Sequence, residues 1–183
     1  MRRNDLLVWV DLEMTGLDPR KDFITEIATV ITDSNLEVVA EGPDLVIHVP
    51  DENLIKKLVA DKDFPLEQGF AEEILKSTIS TEETERQTLE FIEQYVEKGT
   101  SPLCGNTISM DRFFLTFHMP KIIEYLHYRN IDVSTLKELA RRWNPSVFSQ
   151  TEGVKKKLHR AKDDILESIE ELRFYRKFFL IAD

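Results

Sequence analysis

An apolar run that ends in two acidic residues constrains this chain more than any other stretch. The run lies within a strand predicted over residues 5–11, and it continues as Asp11-Leu12-Glu13-Met14-Thr15-Gly16. Because side chains alternate along a strand, Asp11 and Glu13 are expected to project from the same face. Carboxylates at the end of a buried strand are costly unless something compensates their charge, and Mg²⁺ prefers oxygen ligands. The run therefore indicates either a divalent-metal site or an ordinary strand end that enters a glycine turn.

Composition predicts one globular domain over residues 1–183, because 42% of the residues are apolar and 32% are charged. Cys104 is the one cysteine, so an internal disulfide is excluded. We find no secretory signal, and no apolar run approaches the roughly 20 residues that cross a bilayer. These features predict a cytoplasmic protein with no membrane partner, and they leave a cleaved organellar leader open.

The net charge of −10 argues against one class of partner. Long duplex nucleic acid is bound through many lysine and arginine contacts to phosphate, which so acidic a surface does not favour. A short nucleic-acid substrate needs few such contacts, and a loaded metal site is less acidic than its ligands alone. The charge therefore leaves a short nucleic-acid substrate possible.

The order of predicted elements indicates an α/β fold. Ile24–Thr32 and Leu36–Ala40 predict two strands that form an antiparallel meander with the first. Helices are predicted within residues 51–98, and strands recur at residues 102–104 and 131–133 with a helix between them. Residues 144–158 are polar and predict a mobile loop, and a final helix is predicted over about 160–179. We expect a ribonuclease-H-like mixed sheet of five or six strands, an antiparallel meander followed by parallel strands, flanked by helices.

Two more acids are candidate metal ligands. At helical spacing Asp111 shares a face with Phe114 and Leu115, so it is expected to point toward the core. The alternative is an acid near a helix N-terminus that the helix dipole favours. In the last helix, Asp164 follows the edge of the apolar stripe, whereas Asp163 falls on the solvated face. Asp164 is therefore predicted to be the inward-facing ligand and Asp163 a surface acid.

His159 lies just before that last helix. The ordinary pKa of histidine makes it a natural proton acceptor near neutral pH. The alternative is a loop histidine without a role in chemistry.

Taken together, these residues resemble the three exonuclease motifs of the DEDD superfamily. The motifs are Asp11-x-Glu13, Gly105-Asn106 followed by Asp111, and His159-x-Ala161-x-x-Asp164. The histidine five residues before the last aspartate is typical of the DEDDh branch. Within that branch, segments over nearly the whole chain resemble the oligoribonuclease family, among them Asp11–Asp18, Pro102–Asn106, His127–Arg129, Asp132–Thr135 and Asp163–Ile165.

The resemblance implies a metal-dependent 3′→5′ exoribonuclease that hydrolyses short oligoribonucleotides and dinucleotides to nucleoside 5′-monophosphates. It implies that two Mg²⁺ or Mn²⁺ ions are held by four acids, Asp11, Glu13, Asp111 and Asp164. It also implies that His159 takes a proton from the attacking water. A homodimer is implied as well, in which Tyr128 resembles a catalytic-site tyrosine supplied by the partner subunit. Interface packing is the alternative role for Tyr128.

The resemblance also implies substrate contacts. Leu17 resembles a residue that wedges between two bases. Arg129, Ser134 and Thr135 resemble a pocket that caps the 5′-phosphate, where arginine suits bidentate contact. Thr107 stands where a serine is usual and keeps a hydroxyl group at that position.

One stretch departs from the family pattern. Ala60 and Pro65 stand where the pattern has a tryptophan and a histidine, and Lys62, Asp63 and Glu67 replace a segment rich in serine, threonine and histidine. The departure predicts weaker discrimination against longer oligomers. Two alternatives follow for function: a broader DEDDh exonuclease acting on longer RNA or single-stranded DNA ends, and a non-catalytic nucleotide-binding protein on the same fold.

Overall fold

A computed structural model gives the fold of the protein and describes residues 3–62, 65–151 and 160–180. The strands in these ranges are β1 Leu7–Met14, β2 Ile24–Thr32, β3 Val38–Val46, β4 Leu103–Gly105 and β5 Asn130–Asp132. The five described strands form one sheet in the order β3-β2-β1-β4-β5. The first three are antiparallel neighbours, whereas β4 runs parallel to β1 and β5 runs parallel to β4. The predicted mixed sheet is therefore confirmed.

Helices follow β3, β4 and β5 along the chain. Those that follow β3 are α1 Glu52–Val59, α2 Gln68–Lys76 and α3 Thr81–Tyr95. Those that follow β4 are α4 Ile108–His118 and α5 Pro120–Tyr125. Those that follow β5 are α6 Val133–Trp143, α7 Pro145–Phe148 and α8 Ala161–Tyr175, and a π-helical segment Arg176–Leu180 continues α8. Among the described helices, none has the length and apolar character needed to cross a membrane.

Strand β1 lies at the centre of the molecule and is covered on both faces. Val8, Val10 and Leu12 belong to a core cluster that also holds apolar residues of α3, α4 and α5. Trp9 points the other way, into a second cluster built with residues of α6 and α8. Burial on both faces explains why this segment reads as a continuous apolar run. Asp11 and Glu13 follow the alternation of Trp9, so they lie on the face that α8 covers.

Several strand boundaries differ from the sequence prediction, and strand pairing, a turn and a helix cap account for three of them. β1 continues to Met14 because β2 still pairs with it, with Glu13 opposite Glu26. β3 begins at Val38 because Leu36 lies in the preceding turn at φ 71°. β5 ends at Asp132, whose side chain accepts a hydrogen bond from the backbone N–H of Ser134 and so caps α6.

The mobile loop predicted for residues 144–158 is wrong for its first part. Residues Pro145–Phe148 form the short helix α7, and the Asn144 side chain accepts a hydrogen bond from the Val147 N–H at its start. Proline suits the first helical position because its missing N–H would have no intrahelical partner there. The rest of that segment, from residue 152 onward, lies outside the described residues.

Candidate functional site

Three carboxylates meet on the face of the sheet that α8 covers. Asp11, Glu13 and Asp164 each place one carboxylate oxygen within 4.8 Å of the other two, and we call this group the carboxylate cluster. β1 supplies the first two from alternate positions, and the first turn of α8 supplies the third. All three side chains are half-buried. A compact set of carboxylate oxygens is what Mg²⁺ and similar hard cations prefer, so the cluster fits a divalent cation.

The electrostatics of the cluster agree with that fit. Burial raises the pKa of Asp11 to about 9, with further increases from Asp111, Asp164, Glu13 and Glu26. Burial likewise raises the pKa of Glu13 to about 8; Asp164 and Glu26 raise it further, whereas Arg160 lowers it. Acids crowded in this way repel one another when charged, and a bound cation would offset that repulsion.

Asp111 lies beside the carboxylate cluster on α4. It is buried, with 5% of its surface exposed, as its spacing with Phe114 and Leu115 predicts. Its Oδ1 accepts a hydrogen bond of 3.1 Å from the backbone N–H of Leu12, between the two acids of β1. Burial raises the pKa of Asp111 to about 7, although the N–H groups of Asp111 and Leu12 oppose the increase. The structure therefore brings the fourth predicted acid next to the other three, outside the group of oxygens that lie within 4.8 Å of one another.

The last helix presents its two acids as the sequence predicts. Asp164 is half-buried and joins the carboxylate cluster, whereas Asp163 is exposed. His159, the predicted proton acceptor, lies outside the described residues. Arg160 is the first described residue after it and precedes α8 directly.

Glu26 is not among the site residues predicted from the sequence, yet the structure places it against this site. It lies on β2 opposite Glu13, and its side chain is fully buried. Its Oε1 accepts a hydrogen bond of 2.9 Å from Arg160 Nε, and its Oε2 accepts one of 2.9 Å from the Ala161 N–H. A glutamate inside a strand otherwise made of β-branched residues and one alanine is the signal that could have identified it.

Asp132 organises two of the predicted substrate-binding residues. Its Oδ1 accepts hydrogen bonds from the Thr107 N–H at 3.0 Å, from the Ser134 N–H at 3.0 Å and from Ser134 Oγ at 2.5 Å. Thr107 adopts a left-handed conformation with φ 53°, directly before α4. The loop after β4 and the start of α6 are thereby joined, with Thr107 and Ser134 side by side.

Tyr128 and three of the predicted substrate contacts face solvent, and we call these residues the exposed rim: Leu17, Tyr128, Arg129 and Thr135. Leu17 is 71% exposed and Tyr128 is 74% exposed. The Arg129 guanidinium lies 5.5 Å from the centre of the Tyr128 ring. The loop that carries Leu17 is held by α4, because His118 Nε2 lies 2.9 Å from the Pro19 carbonyl oxygen.

The stretch that departs from the family pattern forms ordinary local structure. Ala60 is exposed at the end of α1, and Pro65 is exposed in the connection to α2. Glu67 caps α2, since its Oε2 accepts a hydrogen bond of 2.9 Å from the Phe70 N–H.

Comparison with known proteins identifies relatives over nearly the full chain. The profile of the exonuclease family RNase_T matches residues 8–172. The oligoribonuclease of Marinobacter nauticus is 52% identical over 180 residues, which is 98% of this chain and 98% of that protein. The oligoribonucleases of Hahella chejuensis and of Haemophilus influenzae strain Rd are each 50% identical, over 98% and 97% of this chain and 98% and 96% of theirs.

Solved structures extend the comparison at the level of fold. Exonuclease I of Methylocaldum szegediense superposes with a TM-score of 0.63 at 16% identity, covering 96% of this chain and 41% of that one. Escherichia coli exonuclease I in complex with an oligonucleotide gives a TM-score of 0.68 at 12% identity, covering 97% of this chain and 42% of that one. These likenesses show a shared ribonuclease-H-like exonuclease fold, and the sequence relatives show the family. The chain belongs to the RNase_T exonuclease family and, within it, to the oligoribonucleases.

Proposed function

We propose that this protein is a metal-dependent 3′→5′ exoribonuclease, which hydrolyses short oligoribonucleotides and dinucleotides to nucleoside 5′-monophosphates. The observation that carries the proposal is the carboxylate cluster, in a chain that is 52% identical to an oligoribonuclease over 98% of both lengths. In this proposal residues 1–183 act as one exonuclease domain. The cytoplasmic location inferred from the sequence stays a prediction.

Four acids would hold the metal in this proposal. Asp11, Glu13 and Asp164 offer oxygens within 4.8 Å of one another, and Asp111 lies beside them. We propose two ions, Mg²⁺ or Mn²⁺, which when bound would stabilise the attacking and leaving oxygens of an in-line displacement. The protein holds the four acids on β1, α4 and α8, so their relative positions are set before substrate arrives.

The proton acceptor in this proposal is His159. An imidazole nitrogen would take the proton of the attacking water, because the pKa of histidine suits proton transfer near neutral pH. Arg160, the next residue, donates a hydrogen bond to Glu26, and this contact holds the start of α8 in place.

The proposed substrate contacts come from the exposed rim and from Thr107 and Ser134, the two residues that hydrogen-bond to Asp132. Leu17 would contact a base, and Thr107 with Ser134 would contact the phosphate through their hydroxyl groups. Arg129 and Thr135 would complete the cap on the 5′-phosphate, since a guanidinium group pairs well with phosphate oxygens.

A homodimer is part of the proposal. Tyr128 projects into solvent from a single chain, and Trp143 is also 70% exposed. Large exposed aromatic side chains are enriched at protein interfaces. In the dimer, Tyr128 of one subunit would complete the site of its partner.

The test is release of nucleoside 5′-monophosphates from a dinucleotide by purified protein. We expect release with Mg²⁺ or Mn²⁺, no release after chelation, and loss of release in Asp11→Ala. Asp163→Ala is the matched control, because Asp163 is exposed one residue away from Asp164 and should keep activity. Release that persists in a metal-free preparation would overturn the mechanism.

A broader exonuclease is the second candidate, favoured by the exposed Ala60 and Pro65. These residues stand where the family pattern has two larger side chains, so the 5′ end of a short substrate would be held less tightly. We expect rates on RNAs of two to seven nucleotides to fall gradually with length. A steep decline beyond two nucleotides would contradict this expectation, and single-stranded DNA of equal length separates RNA-specific hydrolysis from general exonuclease activity.

A further inference from the structure

We propose that Glu26 and Arg160 form a positioning pair, which holds the first turn of α8 so that Asp164 stays against Asp11 and Glu13. The pair acts on the metal site through the backbone and does not itself belong to the carboxylate cluster. The inference rests on the proposed metal-dependent function, and its test includes metal binding measured without substrate.

Glu26 caps α8 from another element of the fold. The first N–H groups of a helix have no intrahelical partner, and a side chain at the N-cap usually accepts from one of them. Arg160 stands at the N-cap of α8, and within the described residues its side chain makes no such bond. Glu26 Oε2 on β2 instead accepts the Ala161 N–H at 2.9 Å. A buried carboxylate of the sheet thus sets where α8 begins.

The Arg160 side chain also bonds to Glu26, so the start of α8 is held by a second contact. Its Nε lies 2.9 Å from Glu26 Oε1, and its Nη2 lies 2.7 Å from the same oxygen. Because Glu26 is fully buried, this ion pair lies where charge-assisted hydrogen bonds are strong and where an unpaired charge is costly.

One backbone hydrogen bond connects the Glu26–Arg160 pair to Asp164. The Asp164 N–H donates to the Arg160 carbonyl oxygen at 3.0 Å, in the first turn of α8. Glu26 also lies directly opposite Glu13 in the pairing of β1 with β2. The pair therefore ties the strand that carries Glu13 to the helix turn that carries Asp164, and a shift of Arg160 changes the spacing of the two acids.

The Arg160 side chain also contacts α2. Its guanidinium lies 5.0 Å from the centre of the Phe70 ring, and its Nη2 lies 3.1 Å from Glu73 Oε2. The Glu73 side chain is 49% exposed, so this contact is screened by solvent and should contribute less than the buried one. Glu73→Gln therefore tests the exposed ion pair of the same arginine.

The chain offers a matched control at the opposite side of the sheet. Glu85 on α3 is buried, and its Oε1 accepts the Lys121 N–H at 2.8 Å, near the start of α5. Its Oε2 lies 3.4 Å from Lys121 Nζ. Glu85 thus performs the same structural task as Glu26, for a helix that carries none of the four acids.

The experiment compares Glu26→Gln with Glu85→Gln in the full-length protein. Mn²⁺ dissociation constants are measured by calorimetry without substrate, together with thermal unfolding and the Mn²⁺ dependence of hydrolysis. We expect Glu26→Gln to weaken Mn²⁺ binding about 10- to 100-fold, as loss of a group that supports metal ligands does. Higher Mn²⁺ should restore part of the rate. We expect Glu85→Gln to lower thermal stability while the Mn²⁺ dissociation constant stays that of the wild type, and Glu73→Gln to change it by less than Glu26→Gln.

Unchanged Mn²⁺ affinity in a folded Glu26→Gln variant overturns the proposal, even if that variant is less stable. If Glu26→Gln does not fold, Arg160→Lys decides, because lysine keeps the charge but loses the Nε hydrogen bond. Weaker Mn²⁺ binding in Arg160→Lys supports the pair, and wild-type binding overturns it. If the wild type binds Mn²⁺ but cleaves no RNA, the proposed function fails while the positioning result can still be read from the dissociation constants.

Discussion

The carboxylate cluster and the exposed rim of this protein are built in opposite ways. The cluster lies on the central strand and on a helix that packs against it, and its acids are at least half-buried. The rim consists of side chains that project into solvent, and Leu17 and Tyr128 are each more than 70% exposed. In the proposed mechanism, the chemistry depends on groups held in place by one folded chain. Substrate choice depends instead on exposed groups, which would gain contacts to RNA or to a second subunit.

The largest effect should come from the cluster itself. Asp164→Asn removes one of the three converging carboxylates, so we expect activity to fall at least about 100-fold, more than the effect of an outer-shell group. The same substitution at its exposed neighbour, Asp163→Asn, should leave activity within about twofold, because surface substitutions away from special features change little. Steady-state rates on a dinucleotide at saturating Mg²⁺ measure both. Equal losses in the two variants would show that the inward and outward faces of α8 are assigned wrongly.

A complementation experiment tests whether the exposed rim needs a second chain. Asp11→Ala and Tyr128→Ala should each be inactive alone, but mixed subunits would form dimers in which one site has both intact residues. With random pairing of two symmetric subunits, about a quarter of the wild-type rate should return. Mixing after brief unfolding and refolding, with each variant refolded alone as the control, provides the measurement. No recovery, in spite of dimers seen by light scattering, would contradict a shared site.

Leu17 should have a smaller effect that falls on binding alone. Leu17→Ala removes an apolar contact to a base, so we expect KM for a dinucleotide to rise about 5- to 30-fold with kcat nearly unchanged, in line with burial of a leucine side chain. Thermal stability should be unaffected, since the side chain is 71% exposed. Ile123→Ala is a useful contrast, because Ile123 packs against the core and its loss should reduce stability first. A fall in kcat with unchanged KM in Leu17→Ala would exclude the proposed contact.

The same contrast separates what the sequence could predict from what it could not. β2 has the predicted bounds Ile24–Thr32, because its β-branched residues and full burial agree with one another. Asp164 is inward because helical spacing relates it to the apolar stripe of α8. Both features depend on periodicity within one element, and periodicity can be read directly from a sequence.

Contacts between distant segments could not be read in this way. Glu26 and Arg160 are separated by 134 positions, and only the packing of α8 on β2 brings them together. The extension of β1 to Met14 likewise depends on its neighbour β2, since the strand ends where pairing ends. Helix α7 was missed because a single turn, capped by Asn144, has too few residues to show a period.

The smallest expected effect is the pH dependence of stability without metal. The pKa of Asp11 is raised to about 9 and that of Glu13 to about 8, so the folded protein keeps protons that the unfolded chain releases near pH 4. Their contribution to stability is therefore fully present below about pH 4, and it is lost as pH rises through about 8 to 9. We expect the metal-free Tm to fall between pH 6 and pH 9. Because metal ligands must be deprotonated, the increase in Tm caused by Mg²⁺ should widen over the same range.

Differential scanning calorimetry of the wild type and of an Asp11→Asn, Glu13→Gln double variant measures this effect. The double variant removes both titrating groups without changing the shape of the side chains, so its metal-free Tm should fall less between pH 6 and pH 9. It should also lose the pH-dependent response to Mg²⁺, whereas a response that survives would place the metal elsewhere than on the carboxylate cluster. The exposed rim contains no such crowded acids, so Leu17→Ala should follow the wild-type pH dependence. Raised pH therefore destabilises the metal-free fold through the carboxylate cluster, whereas the exposed rim has no carboxylate that could contribute to this effect.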